Sequence, residues 1–154
     1  TKVYAVDVGT NQLHWKLRSD DRVVSIEQCN LRNWDPSRIP EVCSLLVADL
    51  SFISLRLTIL PLLPSLTEKA EAILLVKPQF EAGRGDVGEG GIVRDAEVHE
   101  RVCKEIWAFF SASELAPQGL MESPIRGGEG NKEYLLHLWR GAVAAAFPKE
   151  QFCS

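Results

Sequence analysis

Two short aliphatic runs, each closed by a charge, constrain this chain more than any other feature: Leu45-Leu46-Val47-Ala48 before Asp49, and Ala72-Ile73-Leu74-Leu75-Val76 before Lys77. Such runs are too short and too uniformly apolar for an exposed amphipathic helix, and they read as buried strands of a parallel sheet. In open α/β sheets the ligand crevice lies outside the carboxyl ends of the strands. Pro78 stops the second run, so Lys77 is expected to project at that edge. One strand then offers a cation or base and the other an acid. A plain ion pair at the sheet edge is the competing reading. Buried pairs contribute little to stability, so two charges placed at adjacent strand ends favour a site.

The rest of the chain fills in the same class. Residues 2–8 alternate and turn at Gly9, which predicts a strand followed by a helix over 11–18. Residues 22–26 read as a second strand, and 30–40 as a polar, proline-marked loop. A helix is expected from Ser54 toward Leu63, kinked or ended by Pro61 and Pro64. Asp95 caps the clearest helix, with Val98, Val102, Ile106 and Phe109 on one face. A weak strand at 119–122, a glycine loop at 124–131 and a strand at 133–139 close the order β-α-β-β-α-β-α-β-β. That order predicts an α/β fold, a mainly parallel sheet with an antiparallel edge strand supplied by the closing hairpin. With 154 residues, 45% of them hydrophobic, the chain can bury the core of one domain. The domain is expected over 1–140, followed by a tail over 141–154.

Composition removes several function classes. A net charge of −4 argues against a self-sufficient nucleic-acid binder, so any RNA contact must be local or supplied elsewhere. Cys29, Cys43, Cys103 and Cys153 show no CxxC spacing, and His14, His99 and His137 form no HExxH, so no metal is expected and the thiols read as reduced. No apolar run approaches the roughly 18 residues of a membrane span, and residues 1–3 open into a strand rather than a signal peptide; a soluble, cytoplasmic protein is expected.

Gly83-Arg84-Gly85-Asp86-Val87-Gly88 spells GxGxxG. A dinucleotide fingerprint needs a strand immediately before it and a helix opening inside it, and here residues 78–82 intervene while the helix starts near Asp95. The stretch 83–91 reads instead as a pliable loop over the site, in which Arg84 and Arg94 can touch phosphate. Asp7, at a strand end beside Gly9, fits either a carboxylate that accepts ribose hydroxyls or a turn aspartate, and the two readings are even. For Asn30 a loop-holding role is ahead. Glu133, taken alone, is an ordinary edge-strand charge.

Read together, residues 5–9 with 12–18, 49–55, 77–84, 90–95 and 129–134 closely resemble the TlyA family, ribosomal RNA methyltransferases also called hemolysins, with an FtsJ-like (RrmJ-like) catalytic domain. The resemblance implies a Rossmann-like S-adenosylmethionine-dependent fold and methylation of a ribose 2′-hydroxyl in ribosomal RNA. It implies a Lys-Asp-Lys-Glu tetrad whose last three members are Asp49, Lys77 and Glu133, and a cofactor site that includes Asp7, Val8, Asn30 and Asp49. The family's first strand, its glycine-rich cofactor loop, the first tetrad lysine and an S4-type RNA-binding segment have no counterpart in the chain. The expectation is therefore a truncated domain that binds cofactor poorly and is inactive alone, with a gap between the strands bearing Asp7 and Asp49 or direct pairing of the two. Association with a second copy through exposed strand edges is also expected. Two rivals are a membrane-acting hemolysin, which needs a long basic amphipathic or apolar segment, and a nicotinamide-dependent oxidoreductase resting on the misplaced GxGxxG.

Overall fold

The computed structural model describes residues 1–152; Cys153 lies outside them. Strands β1 (Val3–Val6) and β2 (Val23–Ile26) pair in parallel. Between them lies one helical turn, α1 (Trp15–Arg18), capped by His14, whose Nδ1 accepts from the Lys16 N–H. The helix expected over 11–18 shrinks to its last four residues. Asn11 sits at φ 57°, outside the range of a right-handed helix.

A second, four-stranded sheet contains β3 (Cys43–Ala48), β4 (Leu66–Val76), β5 (Leu115–Glu122) and β6 (Tyr134–Arg140) in the order β3-β4-β6-β5. β3 and β4 are parallel, and β6 runs antiparallel to both β4 and β5. The α/β class with a mixed sheet holds. The antiparallel strand, expected at the edge, is second from it, because β6 folds back from its hairpin with β5 and pairs with β4 as well. Along β4, Ala70, Ala72, Leu74 and Val76 are fully buried while Ile73 and Leu75 are only partly covered. One face of this sheet is thus sealed and the other partly open, where burial of both faces was expected.

After β3 the chain forms α2 (Leu55–Thr58), capped by Ser54, and then a 3-10 stretch, Leu60–Ser65, at the two prolines. The expected helix is therefore only one turn long. After β4 comes α3 (Pro78–Glu81), with Pro78 in the first turn, where its missing N–H does no harm. Pro78, expected to stop the strand, thus also opens a helical turn. The sealed face is covered by α4 (Ala96–Ser111), capped by Asp95, whose carboxylate accepts from the Glu97 N–H at 2.8 Å. Its buried stripe is Val98, Val102, Ile106 and Phe110, flanked by His99, Cys103 and Trp107. Phe109, expected in the core, is only partly buried and packs edge-on against Phe110 at 5.1 Å. The stripe advances by four residues each turn, which carries it to 110. Residues 141–152 return to this core, with Phe147 edge-on against Trp107 at 5.6 Å and Phe152 against Tyr134 at 5.5 Å.

No strand pairing joins β1 to β3. Of the two expected arrangements the structure takes the gap. It is bridged by side chains: Tyr4 donates to Glu41 at 2.6 Å, Lys2 pairs with Glu41 at 3.4 Å, and the Trp34 indole donates to Ser65 at 2.8 Å.

Candidate functional site

The parallel pairing of Ala48 with Leu74 sets the ends of β3 and β4 side by side. There Lys77 Nζ meets Asp49 Oδ1 at 2.7 Å and donates to Ser51 Oγ at 3.2 Å. The Lys77 side chain is 12% exposed and that of Asp49 68%, so a covered lysine stem delivers its ammonium to an open carboxylate. The Phe80 ring lies 5.9 Å from Nζ, within cation–π range. The antiparallel register ends with Val76 opposite Tyr134, and extending it by one residue sets Glu133 across from Lys77. Glu133 is buried, and its Oε1 accepts from Gln79 Nε2 at 2.9 Å. Gln79 Oε1 is itself buried without a partner. Gly127 is packed so tightly against Glu133 that any side chain there would overlap the carboxylate. Asp49 and Lys77 therefore touch directly, and Glu133 joins the α3 segment through Gln79.

Glu81, unremarked in the sequence, holds this corner together. Its carboxylate accepts from Ser54 Oγ at 2.6 Å and from the Leu55 N–H at 2.7 Å, with Arg56 Nε at 3.6 Å. Burial pushes the Glu81 carboxyl up, and the hydrogen bonds from Ser54 and Leu55 oppose that push. The result is a clamp between α3 and the start of α2, which fixes the 49–54 turn beside Lys77. Within that turn Phe52 is 89% exposed at φ 63°, a conformation that bulky residues rarely adopt, with its ring 4.9 Å from Phe80. Asn131 is a second unremarked organiser. Its Oδ1 accepts from the Val93 N–H, and its Nδ2 donates to the carbonyls of Gly91 and Gly128.

Asp7 Oδ1 accepts from the Gly9 N–H at 2.6 Å, an Asx-type turn, and the second carboxylate oxygen has no hydrogen bond among the described residues. Val8 is exposed. Asn30 caps the 3-10 turn Leu31–Asn33 through the Arg32 N–H, the loop-holding role. No hydrogen bond or ion pair among the described residues ties Asp7, Val8 or Asn30 to Asp49 or Lys77. Arg84 and Arg94 are exposed, and neither side chain forms a hydrogen bond or ion pair among the described residues. The 83–91 loop contains two 3-10 turns, Arg84–Asp86 and Glu89–Gly91, and Asp86 is paired with Arg101 at 2.7 Å. No α-helix opens inside GxGxxG, so the strand–turn–helix cradle of a dinucleotide site is absent from these residues. None of the described helices is long and apolar enough to cross a membrane.

Known proteins are similar to this chain in sequence and in fold. YqxC of Bacillus subtilis, named as a candidate rRNA methyltransferase, is 52% identical over 144 residues, covering 90% of this chain and 50% of YqxC. The 16S/23S rRNA (cytidine-2′-O)-methyltransferase TlyA of Mycobacterium tuberculosis is 45% identical over 139 residues, 88% of this chain and 51% of TlyA. The chain thus spans about half the length of these relatives. A solved structure of a protein named as a hemolysin from Streptococcus thermophilus superimposes with a TM-score of 0.92 at 46% identity, covering 98% of this chain and 56% of that one. The family described as FtsJ-like methyltransferase matches residues 1–140, and the chain belongs to that family.

Proposed function

We propose that this domain transfers a methyl group from S-adenosylmethionine to a ribose 2′-hydroxyl of ribosomal RNA. The observation that carries the reading is the 2.7 Å Asp49–Lys77 contact at the strand ends, with Glu133 across from it in register. The cofactor supplies an electrophilic methyl on a sulfonium. The residues suited to hold it are Asp7, whose second oxygen is free to accept ribose hydroxyls, with Val8, Asn30 and Asp49. The protein's own task is to align a hydroxyl and help with its proton.

An ammonium has three N–H donors. Lys77 uses two, on Asp49 and Ser51, which leaves one to hold the acceptor oxygen in line. Asp49 fixes the lysine head, and Glu133 with Gln79 fixes the neighbouring α3 turn. Phe52 offers an exposed aromatic face on which an unstacked base can rest, as RNA-modifying sites require. Arg84 and Arg94 are unpaired cations available to the RNA backbone.

The test uses protein expressed from its complete reading frame, ribosomal RNA and cofactor labelled in the methyl group. Lys77→Ala is expected to lower transfer by about two orders of magnitude or more, in the range for losing the alignment of a reacting group, with cofactor affinity nearly unchanged. Lys77→Arg should fail as well, since the guanidinium fork is larger and sets its donors in a different geometry. Full transfer by the alanine variant would refute the assignment.

A further inference from the structure

We infer that a cavity outside the Asp49–Lys77 site is a subsite for one phosphate-bearing nucleotide of the RNA strand; the inference deepens the RNA reading above and rests on it. The cavity, about 360 Å³, lies between the start of α4, the 129–132 turn and the end of β5. Its size falls within the range of small-ligand pockets. Adjacent residues of an extended chain face opposite ways, and here Tyr134 lines the cavity while Glu133 does not and bonds to Gln79 instead. The two sites share one short segment and lie on opposite sides of it.

The walls combine buried hydrogen-bonding groups with cations at the mouth. His99 is 3% exposed, and its Nε2 bonds the Val93 carbonyl at 2.9 Å. A carbonyl only accepts, so Nε2 carries the hydrogen and Nδ1 is left as a bare acceptor. That Nδ1 is buried with no partner. A buried acceptor without a donor is costly, and native proteins rarely leave one so without a use. Tyr134, 3% exposed and tilted against the His99 ring at 5.8 Å, brings a hydroxyl that bonds to no described group. At the mouth, Arg126 and Lys132 share a single carboxylate, Glu122, at 3.2 and 3.4 Å, and Arg94 is unpaired. With Glu129 also on the rim, the lining still carries one net positive charge.

This set asks for a ligand with an anion at one end and an N–H or O–H donor at the other. A nucleoside monophosphate unit has both: the phosphate meets the arginines and lysine, and an exocyclic amine or ribose hydroxyl reaches the Tyr134 hydroxyl, against whose ring His99 is packed. A free nucleotide and a nucleotide within a strand share this chemistry. The RNA source is favoured because the cavity lies one residue from Glu133.

The test titrates the protein expressed from its complete reading frame with a short single-stranded oligoribonucleotide and, separately, with cytidine 5′-monophosphate, at several salt concentrations. Arg94→Ala is expected to weaken oligonucleotide binding about fivefold and to reduce the slope of log K against log salt by about one, the signature of one lost phosphate contact. Its folding should be unchanged, because the side chain is exposed and unpaired. In nitrogen-15 spectra the His99 Nδ1 resonance is expected to move on binding. An unchanged salt slope in Arg94→Ala, a stationary His99 Nδ1 with RNA bound, or binding of neither probe would overturn the proposal. Binding of the mononucleotide but not the oligonucleotide would overturn the RNA source. A positive result beside a fully active Lys77→Ala protein would keep the cavity assignment and remove the methyl-transfer reading; an inactive Lys77→Ala beside an unaffected Arg94→Ala would do the reverse.

Discussion

The two sheets of this domain are built to very different standards. The four-stranded sheet and α4 enclose a contiguous core in which Leu74, Val76, Phe110, Leu136 and Leu138 are fully buried. The β1–β2 pair has four-residue strands over a cluster of only Ile26, Cys29 and Ile39, with Tyr4, Val6, Val24, Trp34 and Cys43 packed around it. The residues proposed to act on the RNA hydroxyl sit on the first, and Asp7, proposed to hold the cofactor, sits on the second. Holding a reacting hydroxyl in line to within tenths of an ångström needs a rigid frame, whereas gripping a ribose tolerates a softer one.

The largest test of this contrast is truncation of the two cores. Leu74→Ala is expected to lower global stability by about 2–5 kcal/mol in urea melts, the range for emptying a sealed site. Ile26→Ala should cost less and speed hydrogen exchange chiefly in β1 and β2. Equal losses and uniform exchange would mean one cooperative unit. Next, Asp7→Ala should weaken cofactor binding by about 1–3 kcal/mol in calorimetry of the protein expressed from its complete reading frame, with little change in turnover at saturation. A normal dissociation constant would leave Asp7 as a turn residue alone.

Phe52→Gly probes strain in the rigid half. Removing a bulky residue from φ 63° should raise stability by up to about 1 kcal/mol while reducing methylation. A loss of stability would show that the Phe80 contact outweighs the strain. The smallest effect is the pH response of the clamp. Burial holds the Glu81 carboxyl above its ordinary value of 4.5, so the folded state binds that proton more tightly than the unfolded state does. Its favourable contribution is complete below that ordinary value and is lost as pH rises through the raised one. Wild type should therefore lose stability relative to Glu81→Gln upward from about pH 4.5, read as diverging urea midpoints. A constant difference would mean that the clamp's hydrogen bonds cancel the burial.

The better-packed half was also the more legible in sequence. β3 and the end of β4 announced themselves as aliphatic runs ending in charge, and α4 as a capped, periodic stripe. The first half of β4, with Thr67, Glu68 and Lys69, was hidden because it pairs only loosely, with Leu66 alone matched to Cys43 before the register shifts. The α3 turn was concealed by a proline that reads equally as a strand stop and as the opening of a helix. Glu81 and Asn131 act on partners 26 to 40 residues away, which no local pattern reveals. His99 carries no such signal, because a lone histidine beside an apolar stripe reads the same whether it only packs or also lines a cavity.

The position of β6 has a consequence in time. β4 and β5 do not touch in the sheet, and each pairs with β6, which follows them both along the chain. On a ribosome, the lysine-bearing strand must wait, one edge unpaired, until residues 134–140 emerge nearly sixty residues later. Closure then depends on non-local pairing, the slow kind. During that interval the exposed edge of β4 is what a chaperone or a neighbouring nascent chain would meet.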